Sequence, residues 1–258
     1  MSDTSGANPP EDVFEHPTPT SRRPLPRRAL LTGAAAAVGL AVGAGGVQLG
    51  HALSSGTTTV PGVGLASPGE ELMTEHGVLK RILLAYDAVI ERLGTSQRID
   101  TGVVTDAAQI VNDYIEGFHE GLEEAYVFPQ VAAADDSLAP LVRTLLVQHD
   151  RGRHLTARVL AAAAGDLTQS ARRTSLRSDL AAFVRMYEPH EAREDTVIYP
   201  ALRRAQSERT IGLLAERFAD LQNKQYGDNA LDQMLSRIVG IEQKLGIDDL
   251  ESFTPSVR

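Results

Sequence analysis

Phe118-His119-Glu120-Gly121-Leu122-Glu123-Glu124 and Tyr187-Glu188-Pro189-His190-Glu191-Ala192-Arg193-Glu194-Asp195 each carry a glutamate four residues after a histidine. On an α-helix a four-residue step advances about 6 Å along the axis and stays on one face. Each stretch can therefore aim an imidazole and a carboxylate at the same point. Around the first, Val104, Ala108, Val111, Ile115, His119, Leu122 and Tyr126 fall at helical spacing. They predict a helix from about Thr101 to Val127, which Pro129 is expected to end. Around the second, Leu176, Leu180, Phe183, Tyr187, His190, Glu194 and Ile198 predict a helix over about Thr174 to Arg204, with a kink at Pro189.

Two further helices follow from the same periodicity. Leu72, His76, Leu79, Leu83, Tyr86 and Ile90 mark one from about Pro68 to Leu93, stopped by Gly94. Leu141, Leu145, His149, Gly152, Thr156 and Leu160 mark another from near Pro140 to Ala164. No segment alternates in the manner of a strand. The expectation is an all-α fold: an antiparallel up-down-up-down four-helix bundle over residues 68–205. Two amphipathic segments beyond it, through Ile211, Leu214, Phe218 and Leu221 and through Leu231, Met234, Ile238, Ile241 and Leu245, predict a C-terminal helical extension over 206–258.

Five histidines lie beyond residue 67, and four of them occupy the apolar stripes, one per helix. A single histidine on an apolar face is ordinarily a core residue bonded to a neighbour. Four imidazoles and two carboxylates buried together would cost several kcal/mol for each group left uncompensated. A pair of metal ions removes that cost. His76, His119, Glu123, His149, His190 and Glu194 thus form six inward donors, enough for two ions that share carboxylates. Donor type and spacing permit iron, manganese or zinc alike.

Composition narrows the alternatives. The chain has no cysteine, so disulfides, iron–sulfur clusters and thiolate zinc sites are excluded. The net charge of −9 falls wholly beyond residue 52, because the four arginines before that point balance four acids. Such an acidic body argues against a nucleic-acid partner. No phosphate loop or nucleophile elbow is present.

With Glu75-His76-Gly77-Val78-Leu79 and Val147-Gln148-His149-Asp150 beside the two opening stretches, the chain resembles the hemerythrin family, in its HHE cation-binding group. The resemblance covers roughly residues 68–205. It implies a non-haem di-iron centre, with His76, His119, Glu123, His149, His190 and Glu194 as ligands and Glu123 and Glu194 as bridges. One departure stands out. Oxygen-carrying members place a second histidine four residues after the one on the third helix, where this chain has Arg153. His154 is five residues from His149, which turns it about 140° away and toward solvent. Asp195 is a second acid beside Glu194, rotated about 100° from it and ranked below it as a ligand. Glu120, Glu124, Tyr126 and Tyr187 are read as solvated acids and core tyrosines ahead of any supporting role at the site.

Open positions on such ions bind small molecules, here O₂, NO or peroxide. Three classes of function follow: a sensor or binder of a diatomic ligand, a redox enzyme acting on peroxide or nitric oxide, and an iron-holding or structural bundle without turnover. A site with only two carboxylates compensates a diferric pair less than a four-carboxylate site does. The absent fifth histidine leaves one ion more open than in a pure carrier.

Residues 1–52 read differently. A Pro-, Ser- and acid-rich start precedes Arg27-Arg28-Ala29-Leu30-Leu31 and an uncharged run from Ala34 to Gly50. This resembles a twin-arginine export signal, with cleavage after Ala52 and a linker over 53–67. The bundle is then expected in the periplasm or another extracytoplasmic space, touching a membrane only if the signal is retained. Replacing Arg27 and Arg28 with lysine should strand the protein in the cytoplasm, since that pathway reads guanidinium pairs. Cell fractionation of the double variant checks this, and normal export would refute the assignment.

Overall fold

Ser67 opens the first helix, α1 (Pro68–Leu93), through a reciprocal cap. Its hydroxyl accepts the Glu70 amide, and Glu70 Oε2 accepts the Ser67 amide at 2.8 Å. Pro68 suits the first turn, where its missing N–H is not needed. The computed structural model describes residues 66–95 and 97–256. The export-signal and linker readings fall outside the described residues, save for the last two linker positions.

Helix α2 starts at Asp100, whose Oδ1 accepts the Gly102 amide at 2.9 Å. It runs through Thr101–Ile110, a π-helical stretch Val111–His119, one turn Glu120–Leu122, a second π-helical stretch Glu123–Val127, and Phe128–Ala134. Pro129 does not end it, contrary to the sequence expectation. In the π-helical stretch the Phe128 amide bonds to Glu123 O, one residue further back than in an α-helix. The wider turn relieves the clash of a proline ring with the preceding carbonyls, and the helix resumes with Pro129 in its first turn. Helix α3 is Ala139–Ala163, again with a proline in its first turn.

Helix α4 begins earlier than expected, with Ser170–Arg193, and passes through Pro189. It continues through a π-helical stretch Glu194–Ile198 into Tyr199–Ala205. Here the Tyr199 amide bonds to Glu194 O, and Pro200 follows at once. The arrangement repeats that at Glu123, Phe128 and Pro129. Two more helices follow, α5 (Glu208–Tyr226) and α6 (Ala230–Leu245). Among the described residues there is no strand, and no helix long and apolar enough to cross a membrane.

The four long helical runs close a ring of contacts, α1 on α4, α4 on α3, α3 on α2 and α2 on α1, while α6 packs over α1 and α2. That outer cover explains why α1 buries Val78, Ile82, Ala85 and Val89 in addition to its inner stripe. Arg81 on α1 fixes the cover by donating from Nε to Glu242 Oε1 at 2.7 Å. The expected inner positions Ile90, Tyr126, Leu141 and Leu160 lie half-buried at the edges of the core.

At its centre the core is aromatic: Phe183 meets Tyr86 edge-on at 5.5 Å and stacks on Tyr187 at 4.3 Å. Tyr187 also presses on α3 where that helix has Gly152. A Cβ added there would lie 1.9 Å from the Tyr187 hydroxyl. Gly152→Ala should therefore lower stability by about 1–3 kcal/mol through overpacking, although alanine is the better helix former. Denaturant unfolding measures the change.

Candidate metal centre

Each of the four long helical runs delivers one histidine to the interior, and their Nε2 atoms converge on two carboxylates. His76, His119 and Glu123 form one group whose donor atoms all lie within 4.8 Å of one another, and His149, His190 and Glu194 form the other. All six side chains are buried. The carboxylates link the groups. Glu123 Oε2 is 3.5 Å from His119 Nε2 and also 3.5 Å from His149 Nε2. Glu194 Oε1 is 3.0 Å from His190 Nε2, and its Oε2 is 3.4 Å from His76 Nε2. His149 Nε2 and His190 Nε2 face each other at 3.2 Å.

The outward nitrogens are all engaged. Nδ1 of His76 meets Asp195 Oδ1 at 2.7 Å, and Nδ1 of His119 meets Glu75 Oε2 at 2.8 Å. Nδ1 of His149 meets Glu124 Oε1 at 3.0 Å, and Nδ1 of His190 meets Gln148 Oε1 at 2.9 Å. A neutral imidazole that donates Nδ1–H outward leaves its Nε2 lone pair facing inward, as a metal ligand requires. By contrast, Glu123 Oε2 and both oxygens of Glu194 are buried without a hydrogen-bond donor. Leaving such atoms unpaired costs free energy, and a cation is the partner their surroundings fit. The donor set of imidazole and carboxylate suits iron, manganese or zinc.

Without a cation the site is electrostatically divided. Burial, reinforced by the nearby Glu194, drives the Glu123 carboxyl well above its ordinary range. Burial opposes ionisation of Glu194 too, yet His190, His149 and His76 together hold its carboxyl well below that range. Burial alone would depress His76 and His149. Asp195 and Glu194 nevertheless raise His76 to about 10, and Glu124 and Glu194 raise His149 to about 10. His119 is driven well below its ordinary value, first by burial and then by His76.

Several residues missing from the sequence-predicted set support the site. Glu75 spans from His119 to the C-terminal helices: Gln222 on α5 donates to its Oε1 at 3.0 Å. Glu120 and Glu124, expected as solvated acids, are a fully buried and a partly buried anchor instead. Tyr187 donates to Glu120 Oε1 at 2.7 Å, and Arg153 reaches Glu120 Oε2 at 2.9 Å and Glu124 Oε1 at 2.5 Å. Arg153 thus braces the residue that orients His149. Tyr126 packs on Phe218. Asp195 lies outside both groups as the partner of His76, with its side chain one-third exposed. His154 faces solvent, 3.7 Å from Asp150. Tyr199 donates its hydroxyl to Glu123 Oε1 at 2.8 Å and lies 3.3 Å from His76 Nε2. Its signal was in the sequence, as the aromatic five residues after each glutamate in a repeated stretch.

Comparison with known proteins finds a cation-binding domain over the same residues. The family model described as hemerythrin HHE cation binding domain matches residues 67–202. Uncharacterised proteins of Mycobacterium bovis and Mycobacterium tuberculosis are 46% identical over 202 residues, 78% of this chain and 78% of each relative. No solved structure matches.

His149 and His154 share one helix and one chemistry and differ in direction alone. His149→Ala should lose metal and the stability that metal contributes. His154→Ala should keep metal and change stability by no more than about 0.5 kcal/mol. Elemental analysis and thermal unfolding of the two variants test this, and the reverse pattern would refute the site's geometry.

Proposed function

The chain belongs to the hemerythrin HHE cation-binding domain family, and we propose that it is an exported non-haem di-iron protein that binds or reacts with O₂, NO or peroxide. In this reading residues 68–205 are an antiparallel up-down-up-down hemerythrin-like bundle and 206–258 its C-terminal extension. His76, His119, Glu123, His149, His190 and Glu194 are the ligands, with Glu123 and Glu194 bridging. The observation that carries it is the convergence of four imidazole Nε2 atoms on carboxylate oxygens that no protein donor satisfies.

An iron pair supplies open positions where a small molecule binds and exchanges electrons. The protein's part is to hold the donors and keep water limited. Glu75, Asp195, Glu124 and Gln148 fix the imidazole tautomers. Arg153 stands where carriers have a further histidine, and its guanidinium is committed to Glu120 and Glu124. That favours a reactive centre over a pure oxygen carrier. Residues 1–52 would act as a twin-arginine signal, a route suited to a bundle loaded with metal before transit.

Protein purified without chelator should contain two metals per chain, mainly iron, by elemental analysis. Less than about half a metal per chain in repeated preparations would refute the centre, as would full retention by a His119→Ala, His190→Ala double variant. Metal binding should also weaken as pH falls. Protons compete for His76 and His149, whose metal-free imidazoles hold theirs up to about 10. Titration of metal content against pH checks the sign.

A further inference from the structure

The two histidine–glutamate stretches are related position by position, and one substitution between them falls at the metal centre. Glu123-Glu124-Ala125-Tyr126-Val127-Phe128-Pro129 aligns with Glu194-Asp195-Thr196-Val197-Ile198-Tyr199-Pro200. Phe128 and Tyr199 therefore occupy equivalent places, each giving the amide that closes a π turn. Each ring stacks on a histidine of another helix: Phe128 on His149 at 5.4 Å, and Tyr199 on His76 at 5.6 Å. The difference is the hydroxyl. It is buried with its ring, 2.8 Å from Glu123 Oε1 and 3.3 Å from His76 Nε2.

The geometry points to Tyr199 as a seventh protein ligand, a phenolate bound to the ion held by His76, His119 and Glu123, in the centre proposed above. Two donors about 2.1 Å from one ion and at right angles to each other lie about 3 Å apart. The separations of the Tyr199 oxygen from Glu123 Oε1 and His76 Nε2 bracket that length. It already stands where a further donor to that ion would stand. The equivalent position of the other half holds Phe128, so only one of the two ions gains a phenolate. On binding, the phenol O–H bond breaks, its electron pair stays on the oxygen as the lone pair shared with the ion, and the proton leaves to the buffer. No electron is transferred in that step.

The test uses the full chain, loaded with ferrous iron and oxidised with ferricyanide, with iron counted by elemental analysis. A visible phenolate-to-ferric charge-transfer band is expected, with phenolate ring vibrations enhanced in resonance Raman spectra excited within it. Tyr199→Phe should lose band and vibrations while keeping two irons per chain. Tyr86→Phe, which alters a buried core tyrosine packed on Phe183 and outside the donor groups, should keep both signals. Iron bound without phenolate vibrations in the wild type would overturn the ligand assignment and leave the metal centre standing. So would vibrations that persist in iron-loaded Tyr199→Phe or vanish in iron-loaded Tyr86→Phe. No iron in the wild type would overturn the centre itself, and the ligand with it.

Discussion

The buried carboxylates of Glu123 and Glu194 are the constraint around which the bundle is organised. Three of their four oxygens lack a donor, in an interior where such atoms are seldom left unpaired. The four surrounding imidazoles could satisfy them only by holding protons, which places positive charge in a low-dielectric core. In the proposed centre a pair of cations resolves both costs together. The histidines then serve as neutral ligands, and the carboxylates as anions that balance the ions. The same arrangement is unfavourable when empty, so metal loading and folding are coupled.

The backbone is shaped to the same end. Glu123 and Glu194 each open a π-helical turn, and His119 closes another. Such turns displace the helical face, and they occur where function places demands on the backbone. The step from each histidine to the glutamate four residues later is itself α-helical, through Glu120–Leu122 and through Glu191 to Arg193, so the π turns flank the pairs. The turns allow both runs to pass their prolines and continue. Outside the bundle, α5 sends Gln222 to Glu75, which orients His119. The C-terminal helices therefore touch the site through one intermediary.

Much of this is legible in the sequence because ligands to a shared centre must lie on inward stripes. The 3.6-residue period alone separates His149 from His154, and it separates Glu194 from Asp195. Helix boundaries near the prolines were not legible, since a π turn leaves no periodic mark and shifts the face after it. The outer partners were hidden for a different reason. Glu75, Gln148, Glu124 and Asp195 are each one residue away from a ligand, so their direction suggests the helix surface. They are buried or half-buried because a neighbouring helix brings its own histidine to them. Periodicity within one helix carries no information about that crossing.

Those outer partners also obey the internal repeat. The residue before the histidine of α1 or α3 holds the histidine of the next helix: Glu75 holds His119, and Gln148 holds His190. The residue after Glu123 or Glu194 holds the remaining two: Glu124 holds His149, and Asp195 holds His76. The equivalence is geometric but not chemical. Around the His76–His119 group the partners are two carboxyl side chains, with the Tyr199 hydroxyl beside them. Around the His149–His190 group they are an amide and a carboxylate that Arg153 already neutralises. A carboxylate behind an imidazole makes that ligand more basic and stabilises higher charge on the ion it serves. In the proposed centre the two halves, built to one plan, would therefore surround their ions with different groups. The substitutions that break the symmetry, Glu75 against Gln148 and Tyr199 against Phe128, fall on the same side, and Arg153 offsets the anion on the other.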